Sequence, residues 1–299
     1  MAQSLADNRP DEGRADARLG TMRLLVGNRV ALASGVLILV FLAMGLFAPW
    51  LAPHDPNQQH PDAIRAAPAW QSGGNSTFLL GTDGLGRDLL SRIIYGARVS
   101  IALGVAVVLL TMVVGSGLGL LAGYFGGWLD GVLSRVVDSL LAFPFLVLAL
   151  AVMAATGPNL AALVLALAFK GWVDFYRVSR GDALAARQAD YVMAARGLGA
   201  STPHLLLREI LPNIVPPIIV LAALRMATII IAEASLSFLG IGVPPSIPAW
   251  GTMVADGRAD IATAWWIATF PGLAILLLVL SVNLLGEGLR DALDPRMSL

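Results

Sequence analysis

Cysteine is absent from the 299 residues, and lysine occurs once, as Lys170. Without thiols there is no disulfide, no iron-sulfur cluster and no cysteine nucleophile. The three histidines, His54, His60 and His204, are too scattered to show metal-ligand spacing, so no metal site is expected. Charge is scarce: 13% of residues are charged, against about a quarter in soluble domains. The 20 basic and 20 acidic residues cancel, which leaves neither a basic surface for nucleic acid nor an acidic tail. The chain has no G-x-x-x-x-G-K-[ST] and no H-E-x-x-H, and no nucleophile, base and orienting group fall in line. No residue is therefore expected to be catalytic, and no cofactor is expected to be bound by this chain.

What the sequence does contain is apolar length. Hydrophobic residues make up 57% of the chain and mean hydropathy is +0.75, which points to lipid as the solvent. Residues 1–29 mix both signs of charge with Gly and Pro and read as a cytoplasmic tail rather than a signal peptide. The run 30–52 would span roughly 35 Å as a helix, enough to cross the hydrocarbon layer. Residues 53–96, rich in proline and polar groups, read as an extracytoplasmic loop. Apolar runs near 99–123, 132–155, 159–178, 213–240 and 263–286 complete an expectation of about six spans, an all-α polytopic membrane protein whose core covers 97–299. Arginines concentrate in the tail and between 177 and 208, so the positive-inside rule puts both termini and the segment 188–212 in the cytoplasm.

That segment is compact and polar between apolar neighbours. Asp190 is expected to cap a short helix whose Tyr191, Ala194, Ala195 and Leu198 share one face. Gly197 and Gly199 stop it, and Thr202 with Pro203 starts a second helix that runs toward Pro212. Periodicity alone leaves open whether this unit lies at the lipid headgroups or docks on a protein.

Four intramembrane charges need partners. Lys170 and Asp174, four residues apart, are expected to pair on one face. With Arg225 and Glu233 they read as candidates for a water-filled translocation path, with bracing between helices as the alternative reading. Gly115, Gly119, Gly123 and Gly127 recur every four residues and read as a helix-packing seam rather than a nucleotide loop. Pro144, Pro216, Pro217 and Pro271 are candidate bends, and Trp50, Trp265 and Trp266 candidate interfacial anchors. In "GTDGLGRD", Asp83, Arg87 and Asp88 predict a tight turn locked by ion pairs.

The residues then meet a family pattern. Ala194, Ala195, Gly199, Leu211 and Pro212 stand in the register of the cytoplasmic E-A-A, three residues, G, nine residues, I-x-L-P motif of ABC importer permeases, with Met193 in place of the Glu and Glu209 in place of the Ile. "LLGTDGLGRDLLSRIIYGARVS", "AGYFGGWLDGVLSRVVDSLLAFP", "EASLSFLGIG", "PAWGTMVADGR" and "NLLGEGLRDALDPR" extend the resemblance over nearly everything after the tail. The chain resembles the permease subunits of the dipeptide/oligopeptide/nickel ABC importer family, nearest the dipeptide branch. The resemblance implies a bacterial cytoplasmic-membrane subunit that pairs with a second homologous permease and works with two ATP-binding subunits, which use ATP and Mg, and an external peptide-binding protein. It implies that Tyr191, Ala194, Ala195, Arg196, Gly199 and Pro212 couple to the ATPase, and that Asp83, Arg87 and Asp88 lie near the binding-protein side. A self-sufficient secondary transporter or channel is the alternative class, and nickel, haem or glutathione are alternative cargoes.

Overall fold

In hydrocarbon every backbone N–H and C=O has to be satisfied within its own segment, which favours helices over open strands. The computed structural model describes residues 28–157 and 159–293, and among these no strand forms; one isolated bridge joins Thr82 and Asp88. Residues 1–27 of the expected tail, and Asp294, Pro295 and Arg296 of the last motif, lie outside the described residues.

The first span is α1 (Arg29–Leu46), continued by the short α2 (Ala48–Leu51) after a break at Phe47. The Asn28 side chain caps α1 by accepting from the N–H groups of Val30 and Ala31 at 3.0 and 3.2 Å. Next comes α3 (Leu89–Phe125), 37 residues long. Its start lies ahead of the expected loop boundary at 96, because Asp88 accepts from the N–H of Ser91 at 3.0 Å and caps the helix there.

The expected single span at 132–155 is two helices, α4 (Gly127–Ala142) and α5 (Phe145–Thr156), bent by 95° at Phe143–Pro144. Pro144 has no N–H to continue α4 and sits at the N-terminal boundary of α5. Then follow α6 (Leu160–Ala186), α7 (Asp190–Gly197), α8 (Thr202–Phe238), α9 (Trp250–Gly257) and α10 (Trp266–Leu293). Among the described residues four helices, α1, α3, α8 and α10, are long and apolar enough to cross a membrane, five spans if the bent pair counts as one. The 27-residue α6 carries Lys170, Asp174, Arg177, Arg180 and Asp182, which is why it fails a purely apolar criterion while having the length of the expected fourth span.

The close contact of α3 with α6 depends on missing side chains. A Cβ on Gly119 would lie 2.5 Å from the Tyr176 carbonyl oxygen, one on Gly123 2.5 Å from that of Arg180, and one on Gly115 would collide with that of Trp172. The partner residues 172, 176 and 180 also step by four, so the two helices run parallel with one turn matching one turn. Thr111 against Gly171 adds a fourth rung: a Cβ there would meet the Thr111 methyl at 2.9 Å. Gly127 is not part of this seam. It begins α4 after the turn at Gly126, with positive φ and open space around it.

Contacts along the helices place the chain ends. Gly35 of α1 faces Leu285 of α10, and Gly45 of α1 faces Arg98 of α3. The described ends of the chain therefore lie toward the end of the bundle where residues 188–212 project, called here the knob end. Residues 53–88 and α9 close the opposite, loop end.

Candidate coupling knob, charged cavity and loop-end clasp

At the knob end, α7 starts with Asp190 as its first helical residue. The boundary residue is Ala189, and no side chain caps the helix, so the expected Asp190 cap is absent; its carboxylate sits in the first turn, where it favours the helix dipole. The helix closes at Gly197, and Gly199 takes φ 87°, a backbone state a side chain would strain, with the Ala200 N–H returning to the Ala195 carbonyl at 3.0 Å. Val192 is wholly buried, in a cluster with Leu120, Ala183, Leu205, Ile210 and Ile214, and Ala195 is half-buried against the same cluster. Tyr191, Ala194 and Arg196 are exposed, and Leu198 is 90% exposed. The expected single apolar face is thus divided: Val192 and Ala195 pin the helix, while Tyr191, Ala194 and Leu198 face outward.

The second helix of the motif is not a separate unit ending near Pro212. Thr202–His204 passes through a π-turn, Leu205–Ile210, directly into Leu211–Phe238. The first residue is Thr202, with Ser201 rather than Thr202 at the capping position, and Pro203 in the first turn. The wide turn has a local cause: Pro212 has no N–H, and the N–H of Leu211 reaches back five residues to the Leu206 carbonyl. Knob and span are one continuous rod. Arg187 holds the base, donating to the carbonyls of Gly123 and Tyr124 at 3.2 and 3.1 Å.

Midway along the bundle, Lys170, Gly171 and Asp174 of α6, Phe145 of α5 and Arg225 and Thr228 of α8 line a cavity of about 240 Å³. The expected Lys170–Asp174 pair does not form. Asp174 Oδ1 instead lies 2.9 Å from Arg225 Nη2, joining α6 to α8. Lys170 Nζ donates to the Phe143 carbonyl at 2.9 Å, satisfying a backbone acceptor that the bend before Pro144 leaves free. Spacing within one helix could not reveal either partner, because both come from other elements. Glu233 is elsewhere: it is 1% exposed, accepts from Ser237 at 2.8 Å and Ser100 at 3.4 Å, and does not line this cavity. It braces α8 against α3.

At the loop end, Asp83 accepts from the N–H groups of Leu85 and Arg87 at 2.9 and 3.0 Å and from Arg87 Nε at 2.6 Å. Arg92, which sequence reasoning passed over, sits 3.6 Å from the same carboxylate and donates to the Pro56 carbonyl at 3.1 Å. Arg87 also reaches Asp256 of α9 at 3.4 Å. Burial raises the Asp256 carboxyl above its ordinary value, against the opposing pull of Arg87 and Arg92. Asp83, Arg87 and Asp88 are all buried at the loop end, where Asp83 and Arg87 form the expected ion-paired turn as an internal clasp. Trp266 is no interfacial anchor: it is buried and donates to the Thr82 carbonyl at 3.2 Å. Trp50 is 78% exposed and Trp265 partly exposed.

Residues 115–299 match the family described as binding-protein-dependent transport system inner membrane component, and residues 20–68 match the N-terminal TM domain of oligopeptide transport permease C. The chain is 47% identical over 270 residues to the dipeptide transport system permease protein DppC of Escherichia coli K12, covering 90% of each chain. It is 45% identical over 270 residues to the di/tripeptide transport system permease protein DppC of Pseudomonas aeruginosa, covering 90% of this chain and 89% of the relative. Against the glutathione transport system permease protein GsiD of Pectobacterium atrosepticum it is 43% identical over 276 residues, covering 92% and 90%. A helical bundle with membrane-length spans, a projecting knob in the register of the permease motif and similarity along nine-tenths of its length make this chain a member of the binding-protein-dependent transport system inner membrane component family.

Proposed function

We propose that this chain is one of two permease subunits of an ATP-driven importer of dipeptides and other short peptides. In this reading the knob end, with both termini, faces the cytoplasm, and the loop end faces the peptide-binding protein. One of two ATPase subunits takes the exposed Tyr191–Ala194–Leu198 face into a groove, with Arg196, Gly199 and Pro212 shaping the unit that enters it. Closure of the ATPases on ATP displaces the knob, and because the knob is continuous with α8, the displacement passes to the Arg225–Asp174 level of the membrane. Lys170, Asp174 and Arg225 then face the path of the peptide.

The observation that carries this reading is the division of α7. Buried Val192 pins the helix and leaves Tyr191, Ala194 and Leu198, the last 90% exposed, as an unpartnered face at the end of a rod continuous with α8, which is what a docked coupling helix requires.

The test is purification of the complete complex carrying Ala194→Arg with Leu198→Asp. Neither side chain supports the internal packing, so the chain is expected to insert and retain the second permease while losing the ATPase subunits. Undiminished ATPase recovery and peptide uptake would rule out this face as the coupling surface.

A further inference from the structure

The charges lining the mid-membrane cavity do not balance. Among the described lining residues Lys170 and Arg225 are cationic and Asp174 is anionic. The Asp174 carboxylate is engaged by Arg225 at 2.9 Å, so the pair cancels and braces α6 against α8. The partner of Lys170 is a neutral carbonyl, that of Phe143 at 2.9 Å. Glu233, the other acid on this stretch of α8, is turned to Ser100 and Ser237 and does not compensate it. One positive charge is left over, facing an opening walled otherwise by Phe145, Leu167, Ile229 and Ala232. A net charge at this depth is costly unless water or a ligand of opposite sign meets it.

We propose that Lys170 is the subsite for the C-terminal carboxylate of the transported peptide. An ammonium carries three donors, so Lys170 can hold a carboxylate oxygen while keeping its bond to the Phe143 carbonyl. Arg225 serves the site from across the cavity, held in place by Asp174. At about 240 Å³ the cavity is smaller than the roughly 300–1,000 Å³ of a complete small-molecule site, which fits one end of a peptide rather than the whole. The chemistry selects a free carboxylate beside an apolar wall, the C-terminal residue of an unmodified peptide. A cationic group, such as a peptide's amino end, is repelled from this position.

This inference rests on the importer reading above. The test reconstitutes the complete transporter with its binding protein and measures dialanine uptake by Lys170→Gln and Lys170→Arg. Glutamine keeps a donor for the Phe143 carbonyl but removes the charge, and arginine keeps both. A charge-based subsite predicts a drop of at least tenfold in maximal uptake for Lys170→Gln, with Lys170→Arg within about threefold of the parent at equal recovery of assembled complex. Uptake by Lys170→Gln within about threefold of the parent, or equal losses in both variants, would overturn the subsite and leave the importer reading standing. A parent complex that imports no peptide would overturn both.

Discussion

Arg180 grips Asp130 with two parallel bonds, Nη2 to Oδ2 at 2.6 Å and Nε to Oδ1, tying the knob-end half of α6 to the first turn of α4. Asp130 is also reached by Ser134 and Tyr176, each at 3.4 Å. The pair fixes where the bent α4–α5 unit leaves the bundle. Arg180→Lys keeps the charge but cannot reproduce the planar two-pronged contact. With both groups partly open to solvent, the expected loss is about 1 kcal/mol, below the range for buried charged hydrogen bonds. It reads as a modestly lower melting temperature of the purified complex. Asp130→Ala should cost more, because it leaves Arg180 without its carboxylate.

The glycine seam makes a sharper contrast. Gly119→Ala puts a Cβ 2.5 Å from the Tyr176 carbonyl oxygen, so α3 and α6 must separate along their contact. Gly117→Ala, on the same helix, meets nothing within 4 Å and removes a helix-interior glycine, worth about 0.5–1 kcal/mol in favour of alanine. Thermal unfolding in detergent is expected to rank the variants Gly117→Ala at or above the parent and Gly119→Ala clearly below it. The opposite order would mean that the helices do not meet at this seam.

How far such contacts could be read ahead of the structure depends on where the partner lies. The glycines at 115, 119 and 123 and the proline at 144 carry their signal within their own segments, in periodicity and in the missing N–H, although the pattern names neither the partner helix α6 nor the exclusion of Gly127. Asp174 has Lys170 within reach along its helix, yet Arg225, 51 residues away in sequence, takes its carboxylate. The second motif helix looked separable because Pro212 normally ends or starts a helix; the π-turn at Leu205–Ile210 absorbs it instead. Asp83, Arg87 and Asp88 read as a turn locked by ion pairs, but its burial was not legible, because it comes from packing against Arg92, Pro56 and α9, all outside that stretch.

The loop-end clasp should be intolerant of losing its centre. Asp83 is 3% exposed and faces both Arg87 and Arg92. Asp83→Ala would leave two guanidinium groups without that carboxylate and two backbone N–H groups without their acceptor. Removing one partner of a buried pair costs about 3–5 kcal/mol. The expected outcome is a steep fall in the amount of folded chain recovered from membranes; recovery near the parent level would show the clasp to be dispensable.

Asp256 is expected to behave in the opposite way. Partial burial raises its carboxyl above the ordinary value against the pull of Arg87 and Arg92, and because 53% of the side chain is still exposed the effect on stability is small. The group's stabilising contribution is complete below the unfolded value of about 3.9 and is lost as pH rises through the raised native value. At pH 7 the ionised group is a slight burden, and Asp256→Asn should raise the melting temperature slightly, the gain shrinking as pH falls toward 4. A lower melting temperature at pH 7 would mean that the contact with Arg87 outweighs burial.

Continuity of the knob with α8 matters only if the rod is stiff. Leu207 and Arg208 lie in the π-turn with exposed side chains, while Leu205, Leu206 and Ile210 carry the buried contacts. Replacing both exposed residues with glycine leaves those contacts in place but loosens the backbone, at roughly 1 kcal/mol per residue against a good helix former. If ATPase closure reaches the membrane through this segment, Leu207→Gly with Arg208→Gly should assemble a complete complex that still hydrolyses ATP. Its peptide uptake per ATP should fall at least fivefold, because movement of the knob is dissipated in the softened turn before it reaches Arg225. Uptake per ATP equal to the parent would place the transmission elsewhere, through Arg187 and the ends of α3 and α6, and the rod would be a structural convenience rather than a lever.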